Sequence, residues 1–443
     1  MSGKVGDNPY RASGVVAAAG GGGAISWCTT AKTGAFCAAS GSGYLVNTTS
    51  TAFTATLPAS PTVGDQISFV DFAGTFDSNA LTLGRSSLKI KGACCDATVA
   101  AERGAVTIIY TGTTQGWIQT SQGNDGTMSQ ETFIAATGGT ITTDGDYKVH
   151  AITGTGPFCV SAIGCSSNDQ VEYMVAAGGG GGGFNRGAGG GGAGGFRTSA
   201  SPASSLPVSV QDYTLTIGAG GTGGSNPGPG SVSATSGANS VFSTITSAGG
   251  GLGGKGEGGA PLNAGGDGGS GGGGAACGGG SPAIGAAGSG DTPPAPVSQG
   301  NDGGAASYGS ESEAGGGGGG AATAGGAASQ PRVGGTGGAG SPVAAIFGCA
   351  PKAFYIANGT GAGASACGQF AGGGGGGSSQ PSDGTPGVGG VGGGGAGHGG
   401  PCLSGIAGVA NTGGGGGGAG AGSACRTGGN GGLGYVLIRY KFQ

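Results

Sequence analysis

Charge is the scarcest thing in this chain. Only 8% of its 443 residues are Asp, Glu, Lys or Arg, with 16 basic against 20 acidic and a net charge of −4. A nucleic-acid surface needs clustered Lys and Arg to displace counterions from phosphates. No such cluster exists, which argues against nucleic acid as a partner. Histidine is confined to His150 and His398. A Ser/His/Asp site needs one of them beside a nucleophile, yet His150 sits in a strand-like run and His398 within Gly397-His-Gly399. No carboxylates pair at glycosidase-like positions. The expectation is a non-enzymatic protein with no cofactor and no metal. Nowhere do 18 apolar residues run together, so no membrane insertion is expected. Met1-Ser-Gly-Lys-Val-Gly-Asp7 has no apolar stretch of signal-peptide length, so no cleaved secretory signal is expected.

Cysteine is present but unorganised. Eleven residues lie at irregular spacings, with no CxxC pair and no Cys/His zinc spacing. Cys28–Cys37 and Cys159–Cys165 are the nearest pairs and the disulfide candidates. The alternative is that all are small apolar fillers that stay reduced.

What the chain does have is glycine, 122 residues of it, far above the roughly 7% of ordinary proteins. It is segregated, because residues 1–177 read as β-type sequence and 178–432 carry almost all the polyglycine. Residues 1–22 read as an extended arm. Over 23–122, short apolar segments such as Tyr44-Leu-Val46, Ile67-Ser-Phe-Val70 and Val106-Thr-Ile-Ile-Tyr110 alternate with Gly, Asp, Asn and Pro, as strands and turns require. Over 123–177 a second β-unit contains Tyr147–Ile152, Phe158–Val160 and Val171–Val175. Tyr213–Ile217 and Val241-Phe242 are further strand candidates. The closing stretch 433–443, with Gly434-Tyr-Val-Leu-Ile-Arg-Tyr440, reads as a partner strand for that unit. No run has helical periodicity. The fold class is therefore all-β N-terminal modules followed by a glycine-rich bundle inserted in a β-domain, with essentially no α-helix.

A long glycine tract is ordinarily a disordered linker, since glycine loses more entropy on ordering than any other residue. Three features argue for order here. The tract is too long for a spacer, both ends are anchored in β-structure, and clusters of Pro, Asn, Asp and Ser break it at intervals. A polyproline-II-type helix of glycine, polyglycine II, makes no internal hydrogen bonds, so its amides must bond sideways to neighbours. An interior helix must then be glycine on every face, and an edge helix only on its inward side. Runs 178–183, 315–320, 372–377 and 413–418 suit the interior, and Gly250-Gly-Leu252-Gly-Gly-Lys255-Gly-Glu257 suits an edge. Collagen is excluded, because the glycine triplet is not sustained and proline is scarce. Gly218-Ala-Gly-Gly-Thr-Gly223 matches GxGxxG by chance, with neither the helix nor the acidic residue of a dinucleotide fold. Gly265-Gly-Asp267-Gly and Asn301-Asp302-Gly303 read as turns.

Loops on a rigid scaffold commonly carry recognition. The non-glycine islands 293–308, 347–370 and 401–411 are the expected exposed loops at one tip. Tyr308, Phe347, Phe354, Tyr355 and Phe370 are the receptor-binding candidates, as aromatics suited to stacking on sugars or filling pockets. The alternative for each is packing of loop against loop.

Two stretches resemble known families. Val5-Gly-Asp7-Asn8-Pro9-Tyr10-Arg11-Ala-Ser-Gly14, with Gly43-Tyr44-Leu-Val46-Asn47, Leu57-Pro58-Ala-Ser-Pro61-Thr-Val-Gly64-Asp65 and Gln115-Gly-Trp117-Ile118, resembles a β-rich module of bacteriophage tail-fibre proteins, especially of marine phages. Thr142-Thr-Asp144-Gly-Asp146-Tyr147-Lys148-Val149-His150, Val171-Glu-Tyr173-Met-Val175 and the closing Gly431–Tyr440 resemble the glycine-rich domain of phage appendage proteins. The glycine array is similar in kind to the receptor-binding tip adhesins of some tailed phages, whose loops set host range. The resemblance implies a virion tail appendage, extracellular after host lysis, that attaches the virus to a host receptor, either a glycan or an outer-membrane protein. It implies a homotrimer joined to other phage tail or virion proteins through the arm, with Asp7, Asn8, Pro9, Tyr10 and Arg11 as anchor candidates. The alternatives are a passive virion fibre of tail or capsid without receptor binding, and an ice-binding protein. The irregular loop islands argue against the latter.

Overall fold

The structure is a computed structural model and describes residues 25–120, 128–129, 133–164, 169–200, 204–226, 230–257, 263–278, 283–309, 312–329, 332–349, 352–355, 368–379, 384–400, 403–420 and 427–443. The chain divides into two compact units, Met1–Thr132 and Phe133–Gln443.

In the first unit the chain shuttles between two sheets. One has the order β1 (Ser26–Lys32), β3 (Ser42–Val46), β5 (Gln66–Asp71), β8 (Ala105–Tyr110), β9 (Trp117–Gln119). The other has the order β10 (Met128–Ser129), β7 (Ala97–Val99), β6 (Leu81–Gly84), β4 (Phe53–Thr56), β2 (Phe36–Cys37). Because β1 to β6 alternate between sheets, neighbours within each sheet run parallel, and β7, β8 and β9 close the layers antiparallel. Period-two patterning turns Val106, Ile108 and Tyr110 inward against Ile67, Phe69 and Trp117. Asp71 is buried at the end of β5. Burial alone raises its carboxyl, but the amides of Phe76, Thr75, Arg103 and Gly74 outweigh that and hold it below the usual carboxylate range.

The second unit is built on a sandwich. One sheet runs β11 (Ala135–Thr137), β14 (Gly156–Ala162), β18 (Gln211–Thr216), β19 (Ser240–Phe242), β20 (Ile245–Ser247). The other runs β12 (Thr140–Asp144), β13 (Tyr147–Ile152), β27 (Tyr435–Lys441), β15 (Gln170–Ala176), β16 (Phe196–Thr198), with β17 (Leu206–Pro207) also on β15. The closing strand is central, antiparallel to both β13 and β15, so the tract's two ends are pinned side by side. Between the sheets lie Phe158, Val171, Tyr173, Val175, Phe242 and Ile438.

His150 is buried in this core. Its Nδ1 lies 2.8 Å from the Gly138 carbonyl and its Nε2 3.1 Å from the Tyr440 hydroxyl. Phe158 meets its ring edge-on at 5.1 Å. Burial lowers the imidazole's pKa below the usual 6.5; the Gly138 carbonyl opposes this and Lys148 adds to it.

Beyond the sandwich the glycine tract crosses back and forth as extended threads. The amides of 178–183 show the rule. Gly178 and Gly181 donate to Ala238 and Thr235, Gly179 and Gly182 to Gly432 and Gly429, and Gly180 and Gly183 to Gly192 and Gly189. Each third residue returns to the same neighbour, because three residues per turn rotate successive amides by about 120°. The carbonyls of 178–183 accept from three other threads, around 250, 221 and 416, in the same period. This thread therefore has six neighbours.

Traced in this way, the bonds define a hexagonal lattice. Thread 189–195 is central. Around it stand 178–183, 249–256, 270–275, 315–320, 372–377 and 413–418. An outer ring follows, made of 218–224, 233–239, 263–268, 285–290, 299–305, 324–328, 333–340, 385–391, 393–399, 403–409 and 427–434. The sheets feed it in order: β27, β15 and β16 lead to the adjacent threads 427–434, 178–183 and 189–195. In the other sheet β18, β19 and β20 lead to 218–224, 233–239 and 249–256.

Glycine content follows neighbour number. The four runs expected inside are inside and hold glycine at every position. Outer threads on a flat side keep glycine at two positions of three, as in 427–433, where only Thr427, Asn430 and Leu433 face out. A corner thread keeps one in three, as in Leu403-Ser-Gly405-Ile-Ala-Gly408-Val409. Thread 249–256 borders the one outer position that no described thread fills, and Leu252 and Lys255 lie on that side. Lys255 Nζ reaches Ser231 Oγ at 3.2 Å. The segments read as turns, Gly265–Gly268 and Asn301–Gly303, are outer threads. Their aspartates cap a neighbour's amide, Asp267 that of Ser289 at 2.6 Å and Asp302 that of Gly290 at 2.7 Å.

A Cβ added at Gly181 would stand 2.0 Å from the Thr222 carbonyl oxygen and one at Gly182 2.1 Å from that of Gly417. No side chain can yield there, since the obstacle is backbone. Gly181→Ala should destabilise the second unit by about 3 kcal/mol or more, the upper range of overpacking. Ala407→Ser, on an exposed corner, should stay within about 0.5 kcal/mol. Thermal melts of both variants check this.

His150 is held neutral, so its folded-state pKa lies below its unfolded one. Its contribution is whole above the unfolded value and is lost as pH falls toward the folded value. Between about pH 7 and pH 5 the native protein should lose stability more steeply than His150→Phe, by at most about 1.4 kcal/mol per pH unit. Paired melts across that range measure the difference.

Candidate functional site

Each thread reverses direction, so the bundle has two ends of different character. One end abuts the sandwich. It carries the short reversals at 321–323, 391–393 and 410–412, and the longer stretches 291–298, 341–349, 352–355 and 368–371. The far end carries the described stretches 184–188, 225–226, 230–232, 276–278, 283–284, 306–309, 312–314 and 378–379. These include two hairpins, β21 (Ala276–Cys277) with β22 (Ala283–Ile284) and β23 (Ser307–Gly309) with β24 (Ser312–Ala314).

The expected recognition aromatics divide between these ends, and this corrects the expectation of one exposed tip. Phe347, Phe354, Tyr355 and Phe370 all belong to 341–371, at the sandwich end. That segment opens and closes with β25 (Ser341–Pro342) paired to β26 (Gln369–Phe370) and carries one four-residue helix, α1 (Ala344–Phe347). Phe347, Phe354 and Phe370 are buried, and Tyr355 packs partly buried against them. They cover the second face of the six-stranded sheet, where Val149, Met174, Tyr435 and Leu437 point away from the sandwich core. Phe370 stacks on Tyr435 at 5.6 Å, and the Tyr435 hydroxyl donates to the Phe354 carbonyl at 2.7 Å. Burial raises the Tyr435 phenol far above its usual value. Lys352 Nζ pairs with Asp144 Oδ1 at 2.6 Å. Leaving that apolar sheet face wet would forfeit roughly 1.5–3 kcal/mol per large side chain, so these rings are core residues.

Tyr308 alone of the five lies at the far end, half-buried in β23. A carboxylate knits that end together. Glu313 on β24 is 5% exposed, and its Oε1 accepts from the Arg186 guanidinium at 3.0 Å and from the Gly278 amide at 2.9 Å. Arg186 also donates to the Gly278 carbonyl. The Glu313 amide donates to Ser379 Oγ at 2.7 Å, and the Ser379 amide returns a bond to the Glu313 carbonyl at 2.9 Å. Four reversals from distant parts of the sequence are thereby locked into one cap. Sequence reasoning passed over Arg186 and Glu313. Their only signal was that charge is so rare in this tract that each instance needs a partner.

The other candidates are placed as follows. Asp7, Asn8, Pro9, Tyr10 and Arg11 lie outside the described residues, as does Cys165. Cys28 and Cys37 are both free, which corrects the proposed bridge. They sit on β1 and β2, in different sheets, with Cys28 against the core and Cys37 exposed. Cys159 is free on β14; a hydrogen bond to Asp212, its partner on β18, raises its thiol pKa. His398 lies half-exposed on thread 393–399, with Nδ1 3.0 Å from the Gly399 carbonyl. No group of three His, Cys, Asp or Glu among the described residues is arranged to hold a metal. No described helix is long and apolar enough to cross a membrane.

Glu313→Ala would leave Arg186 and the Gly278 amide without their shared acceptor, at a cost of about 1.5–3 kcal/mol for a charge-assisted bond. Hydrogen exchange should then quicken at 184–187, 276–278 and 378–379 while 189–195 stays protected. Equal protection throughout would show that Glu313 does not hold the cap.

No curated protein matches the chain. A family profile described as a glycine-rich domain matches residues 153–441, which takes in most of the sandwich and every thread of the lattice. The chain belongs to this glycine-rich domain family.

Proposed function

We propose that this chain is a structural virion appendage protein, a tail fibre or adhesin, that attaches a virus to its host cell. The far end of the bundle is its recognition surface. The observation that carries this reading is the contrast between lattice and cap. Hundreds of atoms of backbone are tied into a stiff prism whose interior has no room for a side chain, and the prism ends in closely grouped turns of varied sequence. A scaffold of this kind fixes loops at little entropic cost on binding, and several copies on one particle add avidity. Tyr308, Arg186, Val232 and Ile284 supply aromatic, cationic and apolar contacts there, with Val232 and Ile284 exposed. Such a mixed surface suits a glycan or an outer-membrane protein. The likeness of residues 1–120 to phage fibre modules supports a role on the particle, with the N-terminal arm as its attachment.

Purified protein added in excess should compete with the parent virus for adsorption to its host. Exchanging 307–314 for an unrelated hairpin, or Tyr308→Ala, should weaken that competition at least tenfold. Exchanging 293–297 at the sandwich end should leave it unchanged. Absence of competition by the native protein would favour a passive fibre.

A further inference from the structure

On the flat side of the prism formed by threads 218–224, 427–434 and 403–409 lies a groove of about 410 Å³. Gly428 and Gly429 are its floor, Gly223 and Ser225 one wall and Ala407 the other. Its volume falls within the roughly 300–1,000 Å³ of small-molecule sites. The groove reaches the far end, where Ser225 and the exposed Val232 exchange backbone bonds of 2.8 and 2.7 Å. The lattice determines which backbone groups face into it. On thread 427–434 the amides of Gly428 and Gly431 donate to 218–224, and those of Gly429 and Gly432 to 413–418. The third direction points out of the prism and belongs to the Asn430 amide. The carbonyls follow the same period. Those of Thr427 and Asn430 accept from 403–409, and those of Gly429 and Gly432 from 178–183, which leaves that of Gly428 facing outward. Among the described residues the Asn430 amide, the Gly428 carbonyl, Asn430 Nδ2 and the Ser225 hydroxyl have no hydrogen-bond partner. No charged residue lines the groove.

We infer that this groove is a binding site for a neutral glycan. The inference rests on the reading of the far end as a recognition surface, and it names the class of ligand taken there. The unpaired groups are of both kinds, with donors at Asn430, an acceptor at Gly428 and a hydroxyl at Ser225 that is either. A carboxylate or phosphate serves only the donors, and an ammonium only the acceptor. A sugar hydroxyl donates and accepts, so a single ring satisfies both. An apolar ligand would leave all of these groups dry and unpaired. An extended peptide also offers both kinds, but the rule that builds the lattice excludes it. A close-lying thread tolerates no Cβ on the side that faces it, and Thr427 and Asn430 both stand outward from the floor. Those two side chains are three residues apart, about 9 Å along a thread of this kind. Between them Gly428 and Gly429 present bare peptide planes on which a sugar ring can lie. The backbone groups are fixed by the lattice before a ligand arrives, so little freedom is lost on binding. The hairpin 307–314 follows thread 299–305 on the opposite side of the prism, so this contact is separable from that of Tyr308.

Binding of the labelled full chain to host cells tests it. Cells treated with periodate, which cleaves the vicinal diols of sugars, should lose binding at least tenfold, and protease-treated cells should keep it. Ala407 is exposed on a corner thread, so Ala407→Trp fills the groove without entering the lattice. This variant should bind at least tenfold more weakly at an unchanged melting temperature. Ala286→Trp, the same change across the prism on corner thread 285–290, should bind as native. Should Ala407→Trp fail to fold, Ala407→Leu fills less of the groove and should weaken binding about threefold. A folded Ala407→Trp or Ala407→Leu that binds as native, or binding that survives periodate and is lost to protease, overturns the inference. If exchange of 307–314 still weakens adsorption in that case, the recognition reading stands without the groove. Native protein that binds no cells overturns both.

Discussion

Everything in the second unit depends on the hydrogen bond from an amide on one glycine thread to a carbonyl on the next. A β-strand bonds to neighbours in one plane. A threefold glycine thread bonds in three directions as donor and three as acceptor, so its order extends through two dimensions and builds a solid. Such a bond adds only about 1 kcal/mol net, against glycine's large loss of freedom. The lattice can therefore stand only when nearly every amide is satisfied. That explains the economy of its edges, where Asp267, Asp302 and Asn430 side chains cap outward amides that have no thread beside them.

The lattice contains little apolar side chain, and the sandwich supplies what it lacks. Its two sheets set six threads on parallel tracks, because strand spacing and thread spacing arise from the same amide–carbonyl bond. β15 becomes 178–183 without a turn, and 427–434 becomes β27. The second face of the six-stranded sheet is then roofed by Phe347, Phe354 and Phe370. An aromatic plug thus stands where an α/β protein would place a helix. The bundle starts from a surface already held by burial, which offsets the entropy that a free polyglycine chain could not overcome.

This division of labour orders the functional proposals. The sandwich end is spent on stability, so its aromatics are unavailable for recognition. The flanks are repetitive, with a small or branched side chain at about every third position of an outer thread. Only the far end combines varied sequence, grouped turns and a polar lock through Glu313. The proposed recognition falls where sequence can vary without touching a lattice carbonyl.

Much of this was legible in the residues. The all-glycine runs marked the interior threads, because a thread with six neighbours tolerates no Cβ on any face. Leu252 and Lys255, at triplet spacing, marked an edge for the same reason, and period-two patterning marked the strands. The roles of the aromatics were not legible. Whether an island such as 347–370 lies at the sandwich end or the far end depends on how many times the chain has already crossed, and each crossing reverses the answer. Nor does one glycine thread carry anything to distinguish it from another as a neighbour, since the lateral bonds are chemically identical. Composition and spacing therefore determined that a polyglycine solid exists and which threads are inside it. The order in which threads meet, and hence which loops share an end, was decided by the sheets that launch them and by the few side chains that fit only at a corner.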